Sequence, residues 1–291
     1  MNALKNIARK LADAFGAWYL TGPGTKRLGK LLPRPILHSL DASWNNVLVL
    51  APHPDDEVFG AGLLLARLLQ QKLPVTIAYI TNGGAYSTGA GGDRKEEAQA
   101  YAKSLGAKGI FLDLKDGQLQ NTPGLEDKIY DLMAEIQPDA VILPWFGDYH
   151  TDHRAVARAA IRRPYIQAQY LFYSTFSPLW PGNEFKLSFI MGGEQKVRDA
   201  LAGYSASVNQ ETINGFMTLR RALARGYLNN DAFWEPFLEI SGTDMAGIGE
   251  LAATWPQVYP TLKKARHWRA CLQDLAELKG FTTQEIRDKD R

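Results

Sequence analysis

The sequence predicts an α/β protein with a Rossmann-like, open and mostly parallel sheet, helices on both faces, and a C-terminal α/β elaboration. Between residues 46 and 165, apolar runs alternate four times with segments of helical periodicity. The apolar runs are continuous rather than alternating, which is typical of strands buried on both faces. Short connections join the strands and helices, and such βα repeats form parallel sheets.

The elements of the first half follow one another in a regular order. The predicted strands are NVLVLA (46–51), VTIAYIT (75–81), GIFLDL (109–114) and DAVILPW (139–145). The predicted helices are VFGAGLLLARLLQQ (58–71), RKEEAQAYAKSLG (94–106), GLEDKIYDLMAEI (124–136) and DHRAVARAAI (152–161). After residue 163 the rhythm weakens, with strands predicted at 168–174 and 185–192 and helices at 210–228 and 259–280.

Residues 1–45 form a basic N-terminal extension that stands apart from the rest. Residues 1–20 carry apolar side chains at helical spacing beside several lysines and arginines. A helix of this kind either lies on an anionic membrane surface or packs on the main domain, and its modest apolar stripe favours packing. The predicted domains are a main domain at 46–280, divided into a motif-bearing core (46–165) and a C-terminal part (166–280), and a polar tail at 281–291.

Composition excludes several classes of protein. The chain has 291 residues and a formal net charge of +2, so no global positive field points to nucleic acid. Its 1 cysteine, Cys271, excludes an internal disulfide and a cysteine-based zinc site. No apolar run approaches the ~20 residues that span a bilayer, and the N-terminal segment lacks the apolar core of a secretory signal. We therefore predict a cytoplasmic protein, with peripheral membrane contact through residues 1–45 as the alternative. The sequence does not determine the oligomeric state.

Polar side chains follow each of the four predicted strands. PHPDDE (52–57), TNGGAYSTGAGGDR (81–94), KDGQL (115–119) and FGDYHTDH (146–153) all begin where a strand ends. In open parallel sheets, ligands bind at the carboxyl ends of the strands, in the crevice where the strand order reverses. With the strand order 3-2-1-4, the first and fourth strands are neighbours at this switch point, and PHPDDE faces HTDH across it.

The two facing motifs supply the ligands of a metal. Like charges in PHPDDE repel one another and resist burial unless a cation lies among them. His53 and Asp56 converge on one tight turn, and His153 lies in the first turn of a helix that has Thr151 as its predicted N-cap. The helix dipole there disfavours protonation of His153 and keeps it available as a ligand. Two imidazoles and one carboxylate, with further positions open to water, are typical of a catalytic zinc site.

Asp55 and His150 remain beside this predicted site. An adjacent carboxylate that does not bind the metal is a candidate base for its water, and a free histidine is a candidate electrophile or acid. PDDE alone is more often a solvated helix start, and HxxH alone often arises by chance, so the interpretation depends on the two motifs meeting. His38 and His267 lie outside both motifs and are interpreted as structural.

Together, the two motifs resemble the PIG-L/LmbE family of zinc-dependent de-N-acetylases. TNGG (81–84), Arg94 with Glu97, and LKDGQL (114–119) extend the likeness, which covers residues 46–165. Members of that family act on N-acetylglucosamine attached to inositol, inositol phospholipid, malate, chitobiose or glycopeptide aglycones, and some cleave other amides. The resemblance thus implies a small-molecule or lipid-linked amino-sugar substrate that loses its acetyl group.

The resemblance also implies which residues bind the metal and start the reaction. His53, Asp56 and His153 would bind zinc, or another divalent metal in its place. Zinc lowers the pKa of bound water towards ~7, and Asp55 would take the proton of that water as general base. Asp55 would then pass the proton to the leaving amine, so that the products are acetate and a free amino sugar.

Further roles follow from the resemblance at four more positions. His150, in its protonated form, would stabilise the oxyanion, and Asp152 would orient His150. Arg94 and Asp116 would help to hold the sugar. The C-terminal half is expected to shape the substrate pocket, with Trp180, Tyr204, Asn209 and Trp234 as candidate residues.

Three other functions are open. The GAG at 60–62 suggests a nucleotide-binding oxidoreductase, but Gly60 and Gly62 lie inside a helix pattern rather than in the turn after the strand, and there they favour close helix packing. A catalytically silent binding or assembly protein is the second, and the complete set of motifs argues against it. The third keeps the metal and changes the substrate to a phosphoester, another ester or a non-sugar amide.

Overall fold

Strands and helices alternate along most of the chain in the computed structural model, which describes residues 36–40, 43–84, 94–148, 150–175, 186–228, 230 and 232–245. The strands in these residues are β1 Ile36–Ser39, β2 Val47–Ala51, β3 Val75–Thr81, β4 Lys108–Leu114, β5 Ala140–Pro144, β6 Gln169–Tyr173, β7 Lys186–Met191 and β8 Trp234–Ser241. The helices are α1 Asp56–Gln70, α2 Arg94–Leu105, α3 Leu125–Ile136, α4 Thr151–Arg162, α5 Glu194–Ala202 and α6 Gln210–Leu228, with a 3₁₀ turn at Leu119–Asn121.

All the described strands belong to one sheet of 8 strands in the order β1-β7-β8-β6-β5-β2-β3-β4. The strands from β4 to β6 run parallel, and β8 runs antiparallel to both β6 and β7. The first four predicted strands are β2, β3, β4 and β5, so their order in space is 3-2-1-4, and that prediction is confirmed. The mostly parallel α/β fold is confirmed as well.

The alternation of side chains along β2 shows why helices cover both faces of the sheet. All of β2 is buried. Leu48 and Leu50 belong to one core, which also takes side chains from α3 and α4. Val47, Val49 and Ala51 belong to the other core, which takes side chains from α1, α5 and α6. Because successive side chains point to opposite faces, a strand buried on both sides has to be apolar throughout.

Helix α1, which follows β2, is broken in its second turn. Ala61 departs from helical geometry with φ −145° and ψ 24°. The buried carboxylate of Glu235 on β8 accepts hydrogen bonds from Leu63 N at 2.6 Å and Leu64 N at 3.0 Å, beyond the break. Arg220 on α6 donates to Phe59 O, before the break, at 3.0 Å. Two elements of the C-terminal part therefore supply the hydrogen bonds that the break removes.

Close packing of α1 on the sheet explains its first glycine. A Cβ placed on Gly60 would overlap the ring of Tyr173, a buried residue of β6 whose hydroxyl donates to Leu50 O at 3.1 Å. The interpretation of Gly60 as a packing residue is confirmed. Residues 60–62 lie within α1 and not in the turn after β2, so they are not placed as a nucleotide-binding loop would be.

Gly60→Ala is expected to lower the free energy of unfolding by about 1–3 kcal/mol or more, because the tightly held Tyr173 ring has to move. Chemical denaturation of both proteins, followed by circular dichroism, measures the difference. Gly215→Ala on α6 is the matched control. No described side chain lies within 4 Å of the point that a Cβ would occupy there, so alanine should stabilise by about 0.5–1 kcal/mol. Equal stability of Gly60→Ala and wild type would contradict the packing role.

Two elements of the C-terminal part were not predicted. Helix α5 is short, with 9 residues. Strand β8 contains Glu235, Pro236 and Glu239, and a proline argues against a strand in the middle of a sheet. It nevertheless lies between β6 and β7, where Pro236 pairs with Phe189. Its buried carboxylates have partners, as with Gln169 Nε2, which donates to Glu239 Oε2 at 2.6 Å.

Some of the predicted features lie outside the described residues. They are the amphipathic helix in 1–20, most of the glycine-rich loop (85–93), Trp180, the helix at 259–280 with Cys271, and the tail at 281–291. The end of the N-terminal extension is described, and there β1 pairs in parallel with β7. Among the described helices, none combines the length and apolar character that crossing a bilayer requires.

Candidate metal centre

The two polar motifs meet at one edge of the sheet. PHPDDE follows β2 and begins α1, whereas HTDH follows β5 and begins α4. Strands β2 and β5 are parallel neighbours, with Val47 opposite Ala140 and Val49 opposite Ile142. Their carboxyl ends therefore lie side by side, as the predicted strand order requires.

Two buried imidazoles converge there on one oxygen of the buried Asp56 carboxylate. Asp56 Oδ2 lies 2.9 Å from His53 Nδ1 and 3.0 Å from His153 Nε2. The turn is held locally, since His53 N also donates to Asp56 Oδ2 at 2.9 Å. Ligand atoms of a tetrahedral zinc with bonds of about 2.0–2.1 Å lie roughly 3.3 Å apart, so the two distances to Asp56 Oδ2 are close to those between the ligands of a zinc site. The donor set of two imidazoles and one carboxylate fits zinc as well.

The far side of the His53 ring is held by two carboxylates. His53 Nε2 lies 3.2 Å from Asp116 Oδ1 and 3.3 Å from Asp152 Oδ2. Asp152 is itself fixed, because it accepts hydrogen bonds from Gly117 N at 2.7 Å and Leu119 N at 3.1 Å. Histidine ligands commonly donate their second ring N–H to a carboxylate, which directs the other nitrogen to the metal. This arrangement leaves His53 Nδ1 for the ion.

Asp148 lies at the second ring nitrogen of His153 in a similar way, and this residue was not predicted from the sequence. Asp148 Oδ2 lies 3.4 Å from His153 Nδ1 and accepts from Thr175 Oγ1 at 3.2 Å. Asp148 Oδ1 accepts from His150 N at 2.9 Å. The signal that could have found it is its place in FGDYHTDH, between the end of β5 and the two histidines.

Other groupings of these side chains could also hold an ion. Ligand atoms of His53, His150 and His153 lie within 4.8 Å of one another, and so do those of His53, Asp116 and Asp152. The second grouping lies at Nε2 of the His53 ring, whereas Asp56 lies at Nδ1. His53 belongs to every one of these candidate sets. The sets differ in their other residues, and therefore in the position at which they would hold an ion.

The acidic side chains of the site favour the protonated forms of His53 and His153. Burial disfavours the charged form of His153, but Asp56 and Asp148 outweigh it and raise its pKa to about 9. Burial opposes protonation of His53 in the same way, and Asp56, Asp116 and Asp152 raise its pKa well above 6.5. The expectation that the helix dipole keeps His153 neutral is wrong for the metal-free protein, because full carboxylate charges outweigh a partial one.

Zinc affinity is expected to rise as the pH increases towards 9. In the metal-free protein the pKa of His153 is about 9, and metal binding requires loss of that proton. Below this pKa, each proton released strengthens binding by about tenfold per pH unit. A competition titration against a chelator, repeated from about pH 6 to about pH 9, measures the slope. A zinc affinity that stays flat over this range would contradict protonated imidazoles in the free site.

Asp55 lies beside the three converging side chains and has its own partners. Its backbone has φ 109°, in the left-handed region that residues other than glycine rarely adopt. Its Oδ2 accepts hydrogen bonds from Ser207 Oγ at 2.8 Å and Arg94 Nη2 at 3.0 Å, and its N–H donates to Glu57 Oε2 at 3.2 Å. Burial raises the pKa of Asp55 to about 6, and the Arg94 charge opposes that rise.

His150 is the N-cap of α4, so the prediction of Thr151 as N-cap is wrong. Its Nδ1 accepts a hydrogen bond from Asp152 N at 3.3 Å, which places the proton of a neutral ring on Nε2. Burial and the charges of His153 and His53 lower the pKa of His150 to about 4. The neutral ring, rather than the protonated form expected from the sequence, is therefore present near neutral pH. Asp152 contacts both histidines, since its carboxylate lies 3.3 Å from His53 Nε2 and its backbone N–H donates to His150.

The predicted sugar-binding residues are held within the protein. Arg94 is buried, and it donates to Gly83 O and to Pro54 O at 2.7 Å each, besides its bond to Asp55. Asp116 is buried against His53. The contacts that the structure shows for both side chains are within the protein, and the expectation that they help to hold the sugar stays a prediction.

The predicted pocket residues that the structure describes also make contacts within the protein. Tyr204 and Trp234 are buried, and the Tyr204 hydroxyl donates to Glu57 Oε1. Asn209 caps α6, since its Oδ1 accepts from Thr212 N at 2.8 Å. Their positions explain the packing of the C-terminal part, and Trp180 lies outside the described residues.

Comparison with known proteins matches the region that carries these motifs. The family described as "PIG-L: GlcNAc-PI de-N-acetylase" matches residues 48–163. A "probable N-acetyl-alpha-D-glucosaminyl L-malate deacetylase 2" of Bacillus cereus is 32% identical over 40% of this chain and 60% of the relative. The chain thus spans less than two thirds of that relative's length. An "uncharacterized deacetylase YaiS" of Escherichia coli K12 is 30% identical over 51% of this chain and 83% of the relative.

A solved structure shares the fold. The N,N'-diacetylchitobiose deacetylase of Pyrococcus horikoshii superposes with a TM-score of 0.56 and 20% identity, over 69% of this chain and 86% of the other. The sheet order, the placement of both motifs at the carboxyl ends of β2 and β5, and the match to most of the E. coli relative agree with one another. The chain belongs to the PIG-L family.

Proposed function

We propose that this protein is a metal-dependent hydrolase that removes the acetyl group from an N-acetylated amino sugar of the N-acetylglucosamine type. One observation carries the proposal: Asp56 joins His53 and His153 in one cluster, and Asp55 lies beside that cluster with separate partners. Ligands and base are thus distinct residues, as hydrolysis of an amide requires. Two of the relatives, a probable N-acetylglucosaminyl malate deacetylase and a diacetylchitobiose deacetylase, support the substrate class.

His53, Asp56 and His153 would hold the metal, and their chemistry favours zinc over magnesium or calcium, which take oxygen ligands. Bound there, zinc would supply an acidified water molecule and an electrophile for the amide carbonyl. Asp116, Asp152 and Asp148 hold the two imidazoles in the orientation for binding. Both histidines have to be neutral in that state.

Asp55 is the proposed general base. It accepts a proton from the attacking water and later donates it to the nitrogen that leaves, so that amide and water become acetate and amine. Burial raises the pKa of Asp55 to about 6, close to neutrality, where a group exchanges protons in both directions with little cost. The bonds from Arg94 and Ser207 hold its carboxylate during both transfers.

His150 is the proposed donor to the carbonyl oxygen as that atom gains negative charge. The neutral ring carries its proton on Nε2, because Nδ1 accepts from Asp152 N. A single preorganised donor of this kind typically contributes about 3–4 kcal/mol to the transition state. No change of protonation is needed, so its contribution should persist through the neutral pH range.

A panel of substrates tests the function. Zinc-loaded protein is incubated with N-acetylglucosaminyl malate, diacetylchitobiose, N-acetylglucosaminyl inositol, p-nitrophenyl acetate and a p-nitrophenyl phosphodiester, with chelator-treated protein as control. We expect free amine and acetate in equal amounts from at least one of the sugars, and none from the chelated protein. Hydrolysis of the ester or the phosphodiester without release of amine from any sugar would overturn the proposal.

A lipid-linked substrate and a membrane contact through residues 1–45 stay part of the proposal, as do the domain limits 46–280. Strand β1 begins at Ile36, so a deletion that tests the membrane contact should end before it. Loss of binding to anionic liposomes after deletion of residues 1–34 would support the contact. Unchanged binding would rule it out.

A further inference from the structure

The carboxylate of Asp55 is held by side chains from two different parts of the chain. Arg94 Nη2, at the start of α2, donates to Oδ2 at 3.0 Å. Ser207 Oγ, on the connection between α5 and α6 (203–209), donates to the same oxygen at 2.8 Å. The two donors therefore fix Oδ2, and within the described part of the chain Oδ1 carries no hydrogen bond.

The connection that carries Ser207 is itself anchored beside Asp55. Ala206 N donates to Glu97 Oε1 at 3.1 Å, and Glu97 lies one turn after Arg94 on α2. The buried hydroxyl of Tyr204 donates to Glu57 Oε1, and the other oxygen of Glu57 accepts from Asp55 N. The position of Ser207 is thus tied both to the helix of Arg94 and to the backbone of Asp55.

The backbone conformation of Asp55 requires contacts that hold it in place. With φ 109° its backbone is strained, and strained residues keep their conformation only where surrounding contacts hold it. Asp55 also directly precedes Asp56, whose carboxylate contacts His53 and His153. Without both donors on Oδ2, rotation about χ2 would exchange the two oxygens.

We propose that Ser207 is a positioning residue of the reaction: by donating to Oδ2 it directs Oδ1 of Asp55 towards the water that attacks the amide. Ser207 lies beyond residues 48–163, which match the family, so the C-terminal part of this chain contributes to the orientation of the base. This inference rests on the proposed function.

The test uses the full-length, zinc-loaded protein with Ser207→Ala, Ser207→Thr and the control Ser104→Ala. We expect Ser207→Ala to lower kcat roughly tenfold with unchanged KM and zinc content, because a misoriented base affects the transition state and not substrate binding. Ser207→Thr keeps the hydroxyl and should restore kcat to within about threefold of wild type. Ser104, an exposed residue of α2 whose hydroxyl donates to Tyr101 O at 2.7 Å, should be neutral.

Three outcomes would overturn the inference in an active enzyme: an unchanged kcat in Ser207→Ala, a threonine variant as slow as the alanine variant, or a loss of zinc in Ser207→Ala. A crystal structure of Ser207→Ala gives a readout that does not depend on turnover. We expect its Asp55 carboxylate to be rotated or present in two orientations, and a single unchanged orientation would contradict us. Failure of the wild-type enzyme on every sugar would instead reject the proposed function. In that case the crystal structure of Ser207→Ala would still show whether Ser207 orients the Asp55 carboxylate.

Discussion

Asp55→Asn is expected to keep its metal and lose turnover. The amide has nearly the shape of the carboxylate, and its oxygen can still accept from Arg94 and Ser207, so the local fold should persist. The amide cannot take a proton from water near neutral pH. General-base catalysis typically contributes about 10²–10⁴-fold to the rate, so kcat should fall by a factor of at least about 10². Acetate release gives the rate, and elemental analysis gives the zinc content of the same sample.

A surface carboxylate provides the control for this substitution. Asp113 lies on β4, half of its side chain is exposed, and Lys95 Nζ donates to it at 2.7 Å. Asp113→Asn should change neither rate nor zinc content. Near wild-type turnover in Asp55→Asn would remove Asp55 from the role of base. Loss of zinc in that variant would instead make Asp55 a ligand.

His153→Ala is expected to lose the metal. The substitution removes one of three ligands and leaves two buried carboxylates, those of Asp56 and Asp148, without their shared imidazole. Loss of a residue that merely orients a ligand weakens binding by about 10–100-fold, and loss of the ligand itself should cost more. Dialysis against a weak chelator followed by elemental analysis measures zinc retention.

His150→Ala separates the groupings of side chains that share His53. We expect this variant to retain zinc while its kcat falls, because His150 is proposed to donate to the substrate and not to bind the ion. Loss of zinc from His150→Ala as well would favour the set of three histidines. Retention of zinc by His153→Ala would place the ion at Nε2 of His53, with Asp116 and Asp152.

Much of the site was predictable from local patterns. Continuous apolar runs identify β2 and β5, and a polar motif follows each strand directly. The strand order 3-2-1-4 brings the two motifs together, because parallel strands expose their carboxyl ends at one edge. From these features alone His53, Asp56 and His153 could be grouped, and the structure places both imidazoles within 3.0 Å of a common Asp56 oxygen.

The partners of these side chains could not be predicted in the same way. Arg94 matches a family position, yet its guanidinium is buried against Pro54 O and Asp55. Ser207 lies in a segment without a motif, and it reaches Asp55 because Tyr204 and Ala206 anchor that segment on Glu57 and Glu97. The tautomer of the neutral His150 ring depends on a single contact to Asp152 N.

The sequence by itself determined the parallel α/β sheet and the edge where the two polar motifs meet, because hydrophobic periodicity and the order of βα units are local properties of the chain. Only the tertiary structure decided which nitrogen of each histidine faces the metal position and which oxygen of Asp55 faces the reaction. Those choices depend on donors and charges such as Asp148, Arg94 and Ser207, which several separate elements deliver to one buried volume. Burial makes each such contact strong, and burial is a property of the folded chain.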